Sequence, residues 1–380
     1  MKSKQLTVCF FGSYDRTFTS NIIVKKGLEL QGVRVVEVMH HVLVSELNKP
    51  SDMGIIPLFK RVLKKAGIFK EIIVHMRDLQ KSDVLYVGYP GHLDVYLAWV
   101  VARLFGCKLV FNPLVVFYTG FVDDQGILKP GSFMARMFKW GEGIMYRLCD
   151  LVLADTPAQK EHLIKLFGLP ASKIEVLPIG ADDTIYNFEG YGNVRDSYFN
   201  VMYYGLYSPL HSCPVIIEAA RIVQKNKNIR FVMVGKGQSY DKTYALAQKY
   251  QLTNVEFYPE MNEFNSSDTL QCADVFLGFI AKHPSVERIV PNKVYQGMAL
   301  GKTVVTASAA AISSILADQK EVYLVEPDNA ESLSAAILDL YSHPQKTGKI
   351  ARSGREIFMK RFTPRAVGEM LINHLSILVK

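Results

Sequence analysis

Little in this sequence suggests a covalent or metal-bound framework. Its five cysteines (Cys9, Cys107, Cys149, Cys213 and Cys272) are odd in number and scattered, with no CxxC and no zinc spacing. A disulfide scaffold is thereby excluded, and reduced thiols in a cytosolic protein fit best. No apolar run approaches the roughly 20 residues that a spanning helix needs. The opening Met1-Lys-Ser-Lys-Gln5 runs straight into a strand-like stretch without a signal-peptide cleavage pattern, so a cytoplasmic protein is expected. Low-complexity tracts and short repeats are missing too. No nucleic-acid-binding motif accompanies the net charge of +8, so an anionic membrane surface or a small phosphorylated ligand suits that charge better than nucleic acid. No G-x-G-x-x-G follows the first strand, which argues against a dehydrogenase.

What is present is an ordinary globular composition, 49% hydrophobic and 21% charged, over 380 residues. That is more than one core usually holds, so two domains are expected. Short β-rich apolar runs alternate with helical patterns. In the first half the strands are Leu6–Phe11, Val33–Val38, Val84–Val87, Lys108–Phe111, Leu151–Ala154 and Lys173–Val176, with helices such as Leu93–Phe105 and Ala158–Phe167 between them. The second half repeats the logic with strands Phe199–Tyr204, Phe231–Val234, Val255–Tyr258, Asp274–Gly278, Thr303–Thr306 and Val322–Val325. Buried strands separated by such helices imply parallel sheets with right-handed crossovers. The expected fold is α/β, with two Rossmann-like doubly wound domains facing a central cleft. The domains are expected over 1–182 and 183–363, with a helix over 364–380 crossing back to the first. The polar stretch Gly180–Asn200 reads as the hinge.

One stretch points to an anion. Arg288-Ile-Val-Pro-Asn-Lys-Val-Tyr-Gln-Gly-Met-Ala-Leu-Gly-Lys-Thr-Val-Val305 reads as loop, helix, glycine turn and buried strand. Pro291 suits the first turn of that helix, and Gly301 suits its end. A helix start has free N–H groups and a positive dipole end, and Arg288 and Lys293 flank it, so a phosphate-bearing ligand is expected there. A second feature is basic. Leu58–Met76 has a helical apolar stripe with Lys60, Arg61, Lys64, Lys65 and Lys70 mainly off it. Such a helix either packs on the core or lies on an anionic membrane.

In motif order the chain resembles the GT-B glycosyltransferases, specifically the large retaining family 4. Gly205 followed by Ser208-Pro-Leu-His-Ser212 resembles the family's strand-to-helix glycine loop, and Val234-Gly-Lys-Gly237 its second glycine turn. Cys272-Ala-Asp-Val-Phe-Leu277, Lys293–Thr306 and the junction Leu177-Pro-Ile-Gly-Ala-Asp182 resemble three more of its signatures. Gly12-Ser13-Tyr14 stands where the family has a loop facing donor and acceptor. The resemblance implies transfer of a sugar, with retention, from a nucleotide-diphosphate sugar to a glycan, lipid-linked or small-molecule acceptor, as in cell-envelope polysaccharide synthesis. It implies no further cofactor and no metal: there is no DxD at a strand end, and Asp182-Asp183 falls in the hinge. A peripheral place at the inner face of a membrane is implied for a lipid-linked acceptor. A non-catalytic nucleotide-sugar-binding protein and a GT-B epimerase or phosphorylase stay open as alternatives.

The departures concern charge. The family's paired glutamates fall at Arg288 and Gln296, and its Arg and Lys for the diphosphate fall at Leu206 and His211. The charge looks transposed within one pocket, with Arg288, Lys293 and His211 expected to meet the diphosphate and Gln296 the ribose. Arg288 is expected to matter more than His211, which helps only when protonated. Gly12, Ser13, Gly205, Gly235, Gly237, Pro291 and Asn292 complete the expected donor-binding set, and the base is expected against Gly235–Gly237 and Tyr258–Glu260. For catalysis the candidates are His92 in Gly88-Tyr-Pro-Gly-His-Leu-Asp94, Asn112 in Val110-Phe-Asn-Pro113, and Asp123 beside Asp124. Asn112 donates and accepts but cannot be a base. The leaving phosphate can itself take the acceptor proton, so no protein base is required. His40 and His41 read as polar strand-edge residues.

Overall fold

The computed structural model describes residues 5–39, 67–124, 126–187, 197–259 and 270–380. His40, His41, Glu260, residues 58–66 of the basic helix and 188–196 of the hinge lie outside these described residues. The chain divides into two compact units, Met1–Ile179 with Pro364–Lys380, and Gly180–Thr363. The division falls just before the expected 182–183, and the final helix belongs to the first unit.

The first unit is built on a parallel sheet of β1 (Thr7–Gly12), β2 (Arg34–Met39), β3 (Val84–Val87), β4 (Lys108–Phe111), β5 (Leu151–Ala154) and β6 (Ile174–Val176), in the order β2-β1-β3-β4-β5-β6. Every residue of β1, β3 and β5 is buried, because helices cover both faces and leave no polar side. On one face pack α1 (Thr19–Leu30), through Ile23, Val24 and Leu28, and the last helix of the chain, through Val367, Leu371 and Leu375. On the other face pack α2 (Gly67–Val74), α3 (Asp94–Phe105), α4 (Phe133–Leu148) and α5 (Pro157–Phe167), which share one core with Val87, Phe111 and Val152. Ser132 caps α4 and Thr156 caps α5, each side chain accepting from the N–H three residues on.

The second unit repeats the plan. Its sheet holds β7 (Phe199–Tyr204), β8 (Ile229–Val234), β9 (Val255–Tyr258), β10 (Val275–Leu277), β11 (Thr303–Ala307) and β12 (Tyr323–Val325), ordered β12-β11-β10-β7-β8-β9 and parallel throughout. The longer helices are α6 (Cys213–Val223), α7 (Tyr240–Lys249), α8 (Asn292–Ala299), α9 (Ala330–Ser342) and α10 (Pro344–Arg361). All twelve strands read from the sequence are present. The final helix, α11 (Pro364–Leu378), lies on α1 of the first unit at a glycine seam: a β-carbon on Gly27 would collide with the Pro364 carbonyl, and one on Gly368 with the Gly27 backbone.

Each order reverses once. The chain leaves β1 for β2 on one side and reaches β3 on the other; it leaves β7 for β8 and reaches β10 likewise. Such switch points, at the carboxyl ends of the strands, are where open α/β sheets bind ligands.

Candidate active site

At the second unit's switch point, β7 leads into Gly205 and β8 into Gly235. The Gly205 N–H donates to the Val234 carbonyl (3.0 Å) and the Gly235 N–H to Tyr258 (2.8 Å). Gly205 has φ +138, open to glycine and little else. A β-carbon on Gly235 would strike the Gly205 carbonyl, and one on Gly237 would lie 2.7 Å from the Tyr207 nitrogen. The two loops are therefore pressed together with no side chain between them.

Beneath them lies Lys293. It stands in the first turn of α8, yet only 7% of it is exposed. Its Nζ sits 4.1 Å from the centroid of the Tyr203 ring and 3.2 Å from where a β-carbon of Gly205 would be. Among the described residues this Nζ has no hydrogen-bond partner. Burial pulls its pKa down to about 7, against a small upward pull from Cys213. A buried amine is tolerated when it is neutral or faces an anion.

His211 does not carry the charge expected of it. It is buried, its Nδ1 is 2.9 Å from Ser208 Oγ, and its ring packs between Tyr203 and Phe279. Burial first and the Lys293 charge second push its pKa to about 2. It is a neutral packing and hydrogen-bonding group, and the cationic role is withdrawn. Pro291 also differs from expectation. With ψ 146 it is extended and precedes the helix, which begins at Asn292. Arg288 is half-buried and its Nη2 donates to Ser285 Oγ (3.1 Å). The Gln296 amide donates to the Tyr186 hydroxyl (2.8 Å). Leu206, which holds the loop position where the family has a cation, is 66% exposed.

The first unit's switch point gathers Gly12, Ser13 and Asp94. The Asp94 Oδ2 accepts from the Ser13 N–H (2.8 Å) and from Ser13 Oγ (2.6 Å), and a β-carbon on Gly12 would lie 2.8 Å from it. His92 is 2% exposed, stacked on Phe117 at 3.5 Å, with Nε2 donating to the Val115 carbonyl (2.9 Å). It thus anchors the loop after β4. Asn112 is buried and its Nδ2 donates to the Tyr86 hydroxyl (3.0 Å). Asp123 is exposed on a short π-helical turn, Gly120–Asp124, and does not share their burial. Asp182 is a local brace, accepting from the Thr184 N–H and Oγ.

Four residues escaped the sequence reading. Asp94 and Tyr203 gain their roles from partners far along the chain. Glu142 is a lone acid on the inner stripe of α4, a pattern that marks a buried carboxylate. It accepts from the N–H groups of Phe117 and Tyr118 (2.8 and 2.7 Å), and burial pushes its pKa up to about 7. Asp155 follows β5, is buried with no hydrogen-bond partner at Oδ2 among the described residues, and is pushed up to about 8 by burial.

Comparison with known proteins bears on these arrangements. A model described as Glycosyltransferase Family 4 matches residues 25–184, and one described as Glycosyl transferases group 1 matches residues 199–343. A D-inositol 3-phosphate glycosyltransferase of Segniliparus rotundus is 24% identical over 303 residues, 76% of this chain and 64% of that protein. The matched stretches span only 53% to 64% of the lengths of the curated relatives. Among solved structures, HepE of Anabaena in complex with UDP superposes with a TM-score of 0.67 at 17% identity, covering 98% of this chain and 100% of that one. Sucrose-phosphate synthase of Thermosynechococcus elongatus gives 0.71 at 15% identity, covering 99% of both. At those identities the likeness is one of fold.

Proposed function

We propose, for a chain that belongs to the family 4, group 1 glycosyltransferases of GT-B fold, that it transfers a sugar from a nucleotide-diphosphate sugar to a hydroxyl-bearing acceptor. The observation that carries this reading is Lys293, a buried amine with no hydrogen-bond partner among the described residues, set beneath the Gly205 loop at a switch point. A diphosphate laid on that loop would supply the missing anion. In the reaction the bond between the sugar C1 and the phosphate oxygen breaks, and the acceptor oxygen bonds to C1. The acceptor proton passes to the leaving phosphate, and negative charge grows on the diphosphate. Lys293, with Arg288 as a second cation, would stabilise that charge. Gln296 would meet the ribose after leaving Tyr186, and Gly235–Gly237 would face the base.

Retention of configuration follows the family pattern and belongs to the same proposal. So does a glycan or lipid-linked acceptor of envelope polysaccharide synthesis, handled on the cytoplasmic side of a membrane. No helix among the described residues is long and apolar enough to cross a bilayer. UDP-sugars are the first donors to try, since HepE has been solved with UDP and with UDP-glucose.

The test is a panel of nucleotide sugars and acceptors followed by mass spectrometry and NMR of the anomeric centre. Free nucleoside diphosphate together with a new α- or β-glycoside of unchanged configuration is the expected result. Nucleotide-sugar binding without any product would leave a binding protein. Interconversion of the sugar on its nucleotide would make it an epimerase, and glycoside formation that needs a sugar phosphate and releases inorganic phosphate a phosphorylase.

A further inference from the structure

The helices α2, α3 and α4 lie on one face of the first sheet, and their inner sides share one core through Ile68, Ala98, Val101 and Met145. Their outer sides are unusually apolar. On α2, Phe69 is 57% and Ile73 68% exposed. On α3, Leu104 is 74% exposed. On α4, Phe133, Met137 and Trp140 recur at helical spacing and are 75%, 50% and 68% exposed. Helices α1 and α11, on the opposite face, each leave one large apolar side chain exposed, Leu30 and Ile377. The asymmetry therefore belongs to α2, α3 and α4 and not to the unit's surface in general, since α5, on the same face, exposes no large apolar side chain.

Cations outnumber acids on these helices. Lys70, Arg136 and Lys139 accompany the apolar residues, and Arg103 does so while paired with Asp150 (3.4 Å). The carboxylates of α3 and α4 are turned inward: Asp94 accepts from Ser13 and Glu142 from the N–H groups of Phe117 and Tyr118. On α2, Glu71 lies 3.7 Å from His75. Aromatic and long apolar side chains interleaved with cations, spread over three neighbouring helices, match an acyl boundary beneath anionic headgroups. We propose that the outer surface of α2, α3 and α4 docks this protein on an anionic phospholipid bilayer. The surface lies wholly on the first unit and does not depend on the transferase reading. It includes the described end of the basic helix anticipated at Leu58–Met76.

The sequence supplies a reporter, since it has two tryptophans and Trp99 packs against the core. In a Trp99→Phe variant Trp140 is the sole indole. Its emission is expected to shift to the blue with phosphatidylglycerol-containing vesicles and not with phosphatidylcholine alone, and to return at about 0.5 M salt. Flotation of the full chain should follow the same pattern. Phe133→Glu with Met137→Glu should weaken partitioning at least about tenfold, while Ile377→Glu should not. Thermal unfolding confirms that both variants are folded. The proposal is overturned if Trp140 emission and flotation do not respond to anionic vesicles, or if Ile377→Glu weakens binding equally. It is also overturned if sizing shows a dimer that Phe133→Glu with Met137→Glu dissociates, because a second copy would then cover the face.

Discussion

The two switch points occupy the same place in their sheets and hold opposite charges in opposite states. Under Gly12 lies a carboxylate, Asp94, already bonded to the N–H and hydroxyl of Ser13. Under Gly205 lies an amine, Lys293, which has no hydrogen-bond partner among the described residues. A buried charge satisfied by its own loop is scaffold. A buried charge left without a partner lowers stability, and a ligand of opposite sign accounts for its presence. The contrast supports the proposed anion binding by the second unit, while the first unit's loop is held by its own hydrogen bonds.

The largest effect is expected from Lys293→Met. Nucleoside diphosphate affinity should fall by about 2–4 kcal/mol while thermal stability holds or rises, as when a buried unpaired charge becomes apolar. Calorimetric titration and thermal unfolding read the two quantities. A variant that binds as tightly as the parent would erase the contrast. Asp94→Ala should do the reverse, costing about 1–3 kcal/mol in denaturant stability by orphaning the Ser13 N–H, with diphosphate affinity unchanged.

Acidity sharpens the comparison. Without ligand Lys293 titrates at about 7, so above that pH a diphosphate must draw in a proton as it binds. Affinity should then fall by roughly tenfold per pH unit above 7 until the bound amine itself titrates. Titration in buffers of different ionisation enthalpy should reveal the proton uptake. His211→Gln should leave that slope unaltered, since the imidazole is neutral throughout the range. A slope that disappears with His211 would restore the charge to the histidine.

A last comparison concerns Asp155, where the first unit also buries a group with no hydrogen-bond partner at one oxygen among the described residues. Its folded pKa, about 8, lies above the ordinary 3.8. The raised value means the native state holds this proton more tightly than the unfolded chain. Stability from this group is full below about pH 4 and is lost as pH rises towards 8. Asp155→Asn, neutral at every pH, should match the parent near pH 4 and exceed its stability increasingly as pH rises towards 8. Thermal unfolding across that range measures it.

The architecture was legible because β-strands buried on both faces announce themselves as short apolar runs, and the helices between them leave only a parallel sheet. The site was legible as a place and not as a charge state. Arg288 and Lys293 stood out as cations near a helix start, but nothing local said that Lys293 would be buried. That follows from Tyr203 and Gly205, which β7 brings from about ninety residues away. His211 misled for the same reason: its ring is enclosed by Tyr203 and Phe279. Asp94 and Ser13 are 81 residues apart, a pairing no window of sequence contains.

The seam between Gly27 and Gly368 has a consequence in the order of synthesis. Helix α1 leaves the ribosome before the second unit is made, and α11, which covers it, leaves only after that whole unit. Throughout that interval Ile23, Val24 and Leu28 lack their Val367 and Leu371 partners. A nascent chain stalled before residue 364 should therefore recruit chaperones through this uncovered helix.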